Sequence, residues 1–204
     1  MTSAHSTDLL IVRHPETVAN AERRYVGHGD SPFTRRGEAQ AADLVVALSE
    51  WRPVRVYTSP LQRAMAVAVH VAGCGVPLLV REGLAEVDFG PAEGLTFEEI
   101  SALGMAVEQP GLPAPDGKRV VGEAWDTFYS RVRSAAEEMV AEEGRTAVIA
   151  HGGVVRALVA HLLELPHEAA WRLRVGNATG ARIRIDDGYA SLLGFGVPAC
   201  GFDS

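Results

Sequence analysis

The sequence predicts one three-layer αβα domain built on a mostly parallel sheet and spanning residues 1–204, and three observations carry that reading. Short apolar runs alternate with amphipathic helical stretches along the chain, the pattern of strand–helix–strand crossovers. At 204 residues the chain is long enough to bury one substantial core and short for two. Hydrophobic residues make up 47% and charged residues 22%, an ordinary balance for a globular protein.

Residues 1–7 are expected to be a flexible N-terminus. The first run, Leu9-Leu10-Ile11-Val12, is continuous and apolar, so it reads as a strand buried on both faces. Arg13 and His14 follow, and Pro15, which lacks an N–H, ends the ladder. Residues 16–33 are polar, with Gly27, Gly29 and Pro32, and read as a loop over the strand ends. Thr34 caps a helix whose Ala41, Leu44, Val45 and Leu48 recur at the spacing of one buried face.

Residues 54–58 form a second strand. Ser59 as N-cap, Pro60 as first helical residue and Gln62 closing a capping box then start a helix, with Arg63 in its first turn. This helix runs to Ala72 and stops at Gly73. Residues 76–80 are a third strand, and a loop carrying Glu86, Asp88, Phe89, Gly90 and Gly94 leads to a short helix near Thr96–Leu103. Residues 104–122 have no periodicity and read as an ordered excursion or a lid. A long helix from Glu123 to about Glu143 carries Trp125, Phe128, Val132, Ala135 and Met139 along one stripe. Residues 146–150 are a buried strand entering His151-Gly152-Gly153, and the following helix lines up Val155, Leu158, Val159 and Leu162. Two late strands, 181–186 and 190–195, meet at Asp187-Gly188, a hairpin turn.

The formal net charge of -7 argues against a general nucleic-acid or anionic-membrane binder. Lys118 is the only lysine, so arginine abundance carries no message and only particular arginine positions count. Cys74 and Cys200, far apart, provide neither a disulfide framework nor a CxxC site. No basic-then-apolar leader and no membrane-length run is present, so a cytoplasmic location is expected. Core burial accounts for the apolar periodicity, which leaves the oligomeric state open.

Three strands end in chemically loaded residues: Arg13-His14, the turn into Arg63, and His151. In a parallel sheet those ends share one edge, where open α/β sheets take their ligands. Two arginines and the amides of a Gly-Gly helix start make an anion site. Two histidines within it suggest chemistry on a phosphate. Taken singly, each residue has a plain structural role: His151 as a packed histidine, Arg63 as a solvated first-turn residue, Glu86 as a loop carboxylate.

Arg13-His14-x-Glu16-Thr17, Asn20 and Gly27-His28-x-Asp30-Ser31-Pro32-Phe33-Thr34-x-x-Gly37 resemble the opening of the histidine phosphatase superfamily, in its phosphoglycerate mutase-like branch. Thr58-Ser59-Pro60-Leu61-Gln62-Arg63-Ala64, Glu86-Val87-Asp88-Phe89-Gly90-x-x-Glu93-Gly94 and His151-Gly152-Gly153-Val154-Val155-Arg156 match its later motifs in order. The likeness runs from Leu9 to about Asn177. It implies a phosphoglycerate mutase-like fold and a metal-independent, cofactor-free hydrolysis of a small phosphorylated metabolite. His14 would attack phosphorus as a neutral imidazole, its proton affinity lowered by Arg13 and Arg63. Arg13, Arg63 and His151 would hold the transferring oxygens. Glu86 would give a proton to the leaving oxygen, helped by the charge of the bound phosphate. Asn20, Gly27 and Gly152 would contact phosphate or substrate, and His28 would be either a substrate contact or simply exposed. Glu16 and Glu93 read as structural, and His70, His161 and His167 fit no motif.

Two departures stand out. Pro15 replaces a usual glycine and removes one amide from beside His14, a loss expected to be tolerated because the nucleophile and the phosphate-holding side chains remain. Ala124 stands where a serine is common, removing a polar contact. Asp88 would repel a phosphoglycerate, and Lys118-Arg119 is the only basic pair in the excursion, so a phosphatase is favoured over a mutase. A mutase-type phosphotransferase and a catalytically silent phosphate binder are the alternatives.

Overall fold

The computed structural model describes residues 5–73, 75–109 and 116–198, so Cys74 and Cys200 lie outside the described residues. Its main sheet has six strands: β1 (Ser6–Arg13), β2 (Arg55–Thr58), β3 (Leu78–Val80), β6 (Gly144–Ala150), β7 (Thr179–Asp186) and β8 (Tyr189–Pro198). The smaller pair is β4 (Met105–Val107) and β5 (Arg119–Val121). The helices are α1 (Val18–Ala21), α2 (Arg35–Glu50), α3 (Gln62–Ala72), α4 (Phe97–Ala102), α5 (Trp125–Val140) and α6 (Gly152–Leu162). The strand order is β3-β2-β6-β1-β7-β8; the first four are parallel, while β7 and β8 run antiparallel to their neighbours.

The period-2 geometry of β1 separates the two halves of the core. Leu9 and Ile11 pack with α5 and α6, whereas Leu10 and Val12 pack with α2 and α3. This gives the three expected layers. The stripe on α5 is buried as read, with Phe128 and Met139 fully enclosed. Among the described residues, no helix is long and apolar enough to cross a membrane.

Several local expectations need correction. Ser6 and Thr7 belong to β1 rather than to a flexible terminus, because β7 pairs with them and the Thr7 hydroxyl donates to the Glu142 carbonyl (2.8 Å). The loop over 16–33 contains α1, a single turn whose N-cap Thr17 and N3 Asn20 form a capping box. The helix after β2 starts at Gln62 with Leu61 as N-cap, because the Ser59 side chain is engaged elsewhere. The aperiodic stretch 104–122 includes β4 and β5, strands of three residues that are too short to show alternation, while 110–115 lies outside the described residues. The hairpin at Asp187-Gly188 holds, with φ of 49° and 85° at its two central residues, as a type I′ turn requires.

Candidate active site

Register builds the centre of the site. Arg13 pairs with Ala150 across the β1–β6 ladder and Thr58 with Ile149 across β2–β6. One step further along each strand stand His14, His151 and Ser59. The two imidazoles lie with ring centroids 5.2 Å apart. All three residues are buried.

His14 Nδ1 sits 2.7 Å from the Pro15 carbonyl oxygen. A carbonyl only accepts, so Nδ1 is the donor and a neutral ring keeps its lone pair on Nε2. The group that orients His14 is thus the carbonyl of residue 15, which proline supplies as well as glycine. Asn177 reinforces it, its Nδ2 reaching the carbonyls of His14 (3.2 Å) and Pro15 (3.3 Å) and the Asn20 Oδ1 (2.8 Å). Burial, then the positive charges of Arg13 and Arg63, hold the His14 pKa well below the ordinary value of 6.5. The two arginines therefore act in the expected direction, but desolvation leads.

His151 Nε2 lies 2.7 Å from Ser59 Oγ, which also accepts the Leu61 N–H at 3.2 Å. Among the described residues the Ser59 hydroxyl has no other acceptor, so it donates to Nε2 and places the His151 proton on Nδ1. Burial first, then His14, Arg63 and Arg13, push the His151 pKa well below 6.5. Among the described residues its Nδ1 has no partner, and neither do Arg13 Nε and Arg156 Nε. Buried donors in native structures are nearly always paired, so these three need an account.

Glu86 is set on the N-terminus of α6. Its Oε2 accepts the Gly153 N–H and its Oε1 the Val87 N–H, each at 3.1 Å. A Cβ at Gly153 would overlap that carboxylate, so glycine permits the approach. The Glu86 backbone is braced by Arg131, whose guanidinium donates to the carbonyls of Ala85 (2.6 Å), Glu86 (2.9 Å) and Gly83 (3.2 Å) while pairing with Glu123 (2.8 Å).

A cavity of about 450 Å³ opens beside these groups; Arg13, His14, Asn20, Glu86 and Gly152 line it, while His151 sits buried just behind His14 and does not. Asn20 Oδ1 accepts from Thr17 and Asn177, which leaves its amide nitrogen for a ligand.

The other expected contacts are placed differently. The Gly27 amide is bound by Glu93 Oε1 at 2.9 Å, and a Cβ there would collide with the Val87 carbonyl, so Gly27 is a packing position. His28 donates from Nε2 to the Glu86 carbonyl (3.0 Å) and supports the loop that holds Glu86. Arg63 points its guanidinium at the carbonyls of Gly27 (2.6 Å) and Gly29 (2.9 Å) and does not line the cavity. Burial lowers its pKa while Glu86, Glu93 and Asp30 oppose this. Glu93 is structural as read, since it gathers the amides of Gly27, His28 and Phe89. Asp88 Oδ1 accepts the Gly90 amide (2.7 Å), and Asp88 does not line this cavity. Lys118 bonds Ser101 outside the cavity lining. At Ala124, the N-cap of α5, the missing polar contact is real: the Trp125 amide turns to Glu108 instead (3.0 Å).

Ser59, Arg131 and Asn177 were not singled out by the sequence. Ser59 carries a helix-cap signature that masks its bond to His151, and the other two act across contacts of 45 residues or more. Among the described residues, no group of three His, Cys, Asp or Glu side chains is placed to hold a metal ion.

A family model described as histidine phosphatase superfamily (branch 1) matches residues 9–197. A protein of Shigella boydii serotype 18 named "Probable phosphoglycerate mutase GpmB" is 31% identical over 201 residues, covering 95% of this chain and 92% of that protein. Two solved structures are similar along nearly their whole length. YhfR of Bacillus stearothermophilus is 30% identical with a TM-score of 0.80, covering 95% of this chain and 99% of that one. The alpha-ribazole phosphatase of Shigella flexneri is 27% identical with a TM-score of 0.79, covering 93% and 96%.

Proposed function

The chain belongs to the histidine phosphatase superfamily, branch 1, and is a phosphoric monoester hydrolase; from that premise we propose that it cleaves a small phosphorylated metabolite through a phosphohistidine on His14. The observation that carries this reading is the neutral His14 ring, its tautomer set by the Pro15 carbonyl, beside Arg13 and His151 donors that have no acceptor among the described residues. Such an arrangement suits an anionic group whose charge spreads during transfer.

In the first step the Nε2 lone pair attacks phosphorus. The P–O bond to the leaving group breaks, and Glu86 gives its proton to the departing oxygen. Arg13 Nε, the His151 Nδ1–H and the Asn20 amide meet the phosphoryl oxygens, and Gly152 lets the start of α6 approach them. Arg63 acts one layer back, holding the 27–29 loop and adding positive charge near both imidazoles. In the second step the Glu86 carboxylate takes a proton from water as the water oxygen attacks phosphorus. The P–N bond breaks, and inorganic phosphate and neutral His14 are released. No step is assigned to a metal or cofactor.

Phosphate release from an aryl phosphate, measured in the presence of a chelator, tests the proposal. Turnover is expected to persist with the chelator and to fall at least about a thousandfold in His14→Ala. Turnover that depends on the metal, or survives in His14→Ala, would overturn it. The name of the Shigella boydii relative favours a second reading, transfer between positions of a phosphoglycerate. Phosphoglycerate interconversion faster than phosphate release would establish that reading instead.

A further inference from the structure

The cavity continues beyond the groups that the reaction uses. Arg23, Tyr25, Phe97, Arg156 and Trp171 line its outer part. Building on the phosphatase reading, we infer that this outer part is a second anion subsite, and that the leaving group carries its own carboxylate or phosphate. A neutral sugar alcohol would leave that subsite unmatched.

Charge pairing makes the case. Arg24, also on the wall, is bonded to Glu22 (2.8 Å) and Glu99 (3.0 Å). Arg23 and Arg156 have no acidic partner within 4.0 Å among the described residues. Three nearby acids are committed elsewhere, Glu93 to loop amides, Asp88 to Gly90 and Glu123 to Arg131, while Glu98 acts on Tyr25 from outside the cavity lining. Among the described residues Glu86 is the only acid that lines the cavity, and two amides already bond it.

Arg156 is built for a ligand. It rises from α6 one turn beyond Gly152. Its guanidinium lies 5.0 Å over the Trp171 ring, and Trp171 in turn meets Trp125 at 5.8 Å with the rings tilted by 37°. Its Nε is sealed from water and, among the described residues, has no acceptor. Burial lowers its pKa, with Glu86 opposing. A half-buried guanidinium with an unpaired, sealed Nε gains a charge-assisted bond from an incoming carboxylate or phosphate.

Arg23 is exposed and holds φ of 57°, following α1. A non-glycine residue in that region is uncommon. Arg23 therefore supplies an exposed cation at the rim, beside the half-buried one at Arg156.

The test compares phenyl phosphate with its 3- and 4-carboxyphenyl analogues, which place a carboxylate at two reaches. The native protein is expected to favour one carboxylated ester about tenfold in kcat/KM. That preference should shrink toward the bare electronic difference between the esters in Arg23→Asn, which tolerates positive φ, and in Arg156→Gln. A preference that is absent in the native protein, or unchanged in both variants, would overturn the subsite. An equal loss on all three esters would assign these arginines to the reacting phosphate and also overturn it. Binding of the same esters to His14→Ala by calorimetry decides the matter independently of turnover. Tighter binding of a carboxylated ester, lost in the Arg23→Asn and Arg156→Gln backgrounds, upholds the subsite even if the phosphohistidine reading fails. Equal binding of the three esters overturns it.

Discussion

The strand edge and the loop wall reach the same cavity by different physical means. On the edge, Arg13, His14, Ser59 and His151 follow directly from β1, β2 and β6, whose ladders set their separation within the buried sheet. On the wall, Glu86 and residues 23–29 lie on irregular backbone and are held by polar clamps: Glu93 under the amides of residues 27 to 29, and Arg131 under three carbonyls. The edge is positioned by hydrogen-bond register and packing, which deform little. The wall is positioned by a few side chains, and each clamp is a single point of failure. In the proposed reaction the nucleophile His14 belongs to the first region and the proton donor Glu86 to the second.

That contrast can be broken most decisively at Ser59. Ser59→Ala removes the group that fixes the His151 tautomer and leaves a buried nitrogen unpaired, a cost of about 1–3 kcal/mol. The expected result is a kcat loss of roughly tenfold to a hundredfold with little change in KM, restored in part by Ser59→Thr. An effect confined to thermal stability would show that Ser59 is structural only. On the wall, Arg131→Gln releases the carbonyls of Gly83, Ala85 and Glu86 together. A kcat loss of about tenfold and faster proteolysis of the 82–94 loop are expected, with the sheet's global unfolding midpoint shifting less than for a core truncation such as Phe128→Ala, which costs about 3–5 kcal/mol. A kcat equal to that of the native protein would remove Arg131 from the account of Glu86.

The acid response sharpens the same comparison. His14 and His151 have pKa values well below 6.5 because they are buried neutral among arginines. Above about pH 6.5 both the folded and unfolded forms carry them neutral. Below it the unfolded chain takes up protons that the folded chain refuses, so stability falls with pH until the folded pKa is reached. Each histidine contributes up to about 1.4 kcal/mol per pH unit in that window. Urea titrations from pH 7.5 to 5 should therefore show a shallower decline for His14→Ala than for the native protein. Parallel declines would contradict the lowered pKa. The acid limb of kcat/KM should likewise lie below 6.5. The smallest effect is expected at Leu103, 64% exposed and remote from both regions. Leu103→Gln should change unfolding free energy by no more than about 0.5 kcal/mol, which denaturant titration can check.

Much of this architecture was legible in the chain itself. Periodicity located β1, β2, β6, α2, α5 and α6, because each buries a regular apolar pattern that the sequence must repeat. Proline after His14 and glycine after His151 marked where strands yield to chemistry, and the ordered motifs brought His14, Arg13, Arg63, Glu86 and His151 together in one family. The short β4 and β5 gave no pattern, since three residues are too few for an alternation to register. Side-chain direction was also beyond reach. Ser59 reads equally well as a cap, Arg63 as a cavity residue and Asp88 as a repelling charge until the partners of each are known.

The sequence alone determined the layer architecture and the identity of the groups at the strand ends, because burial period and backbone breakers are local properties. Tertiary structure alone decided which nitrogen of each imidazole carries a proton, which arginines remain unpaired and which glycines give way to a carboxylate. Apart from the His14 tautomer, set by the neighbouring Pro15 carbonyl, those outcomes depend on partners far away in the chain, such as Ser59 for His151 and Glu86 for Gly153, and such partners meet only after the sheet has set its register.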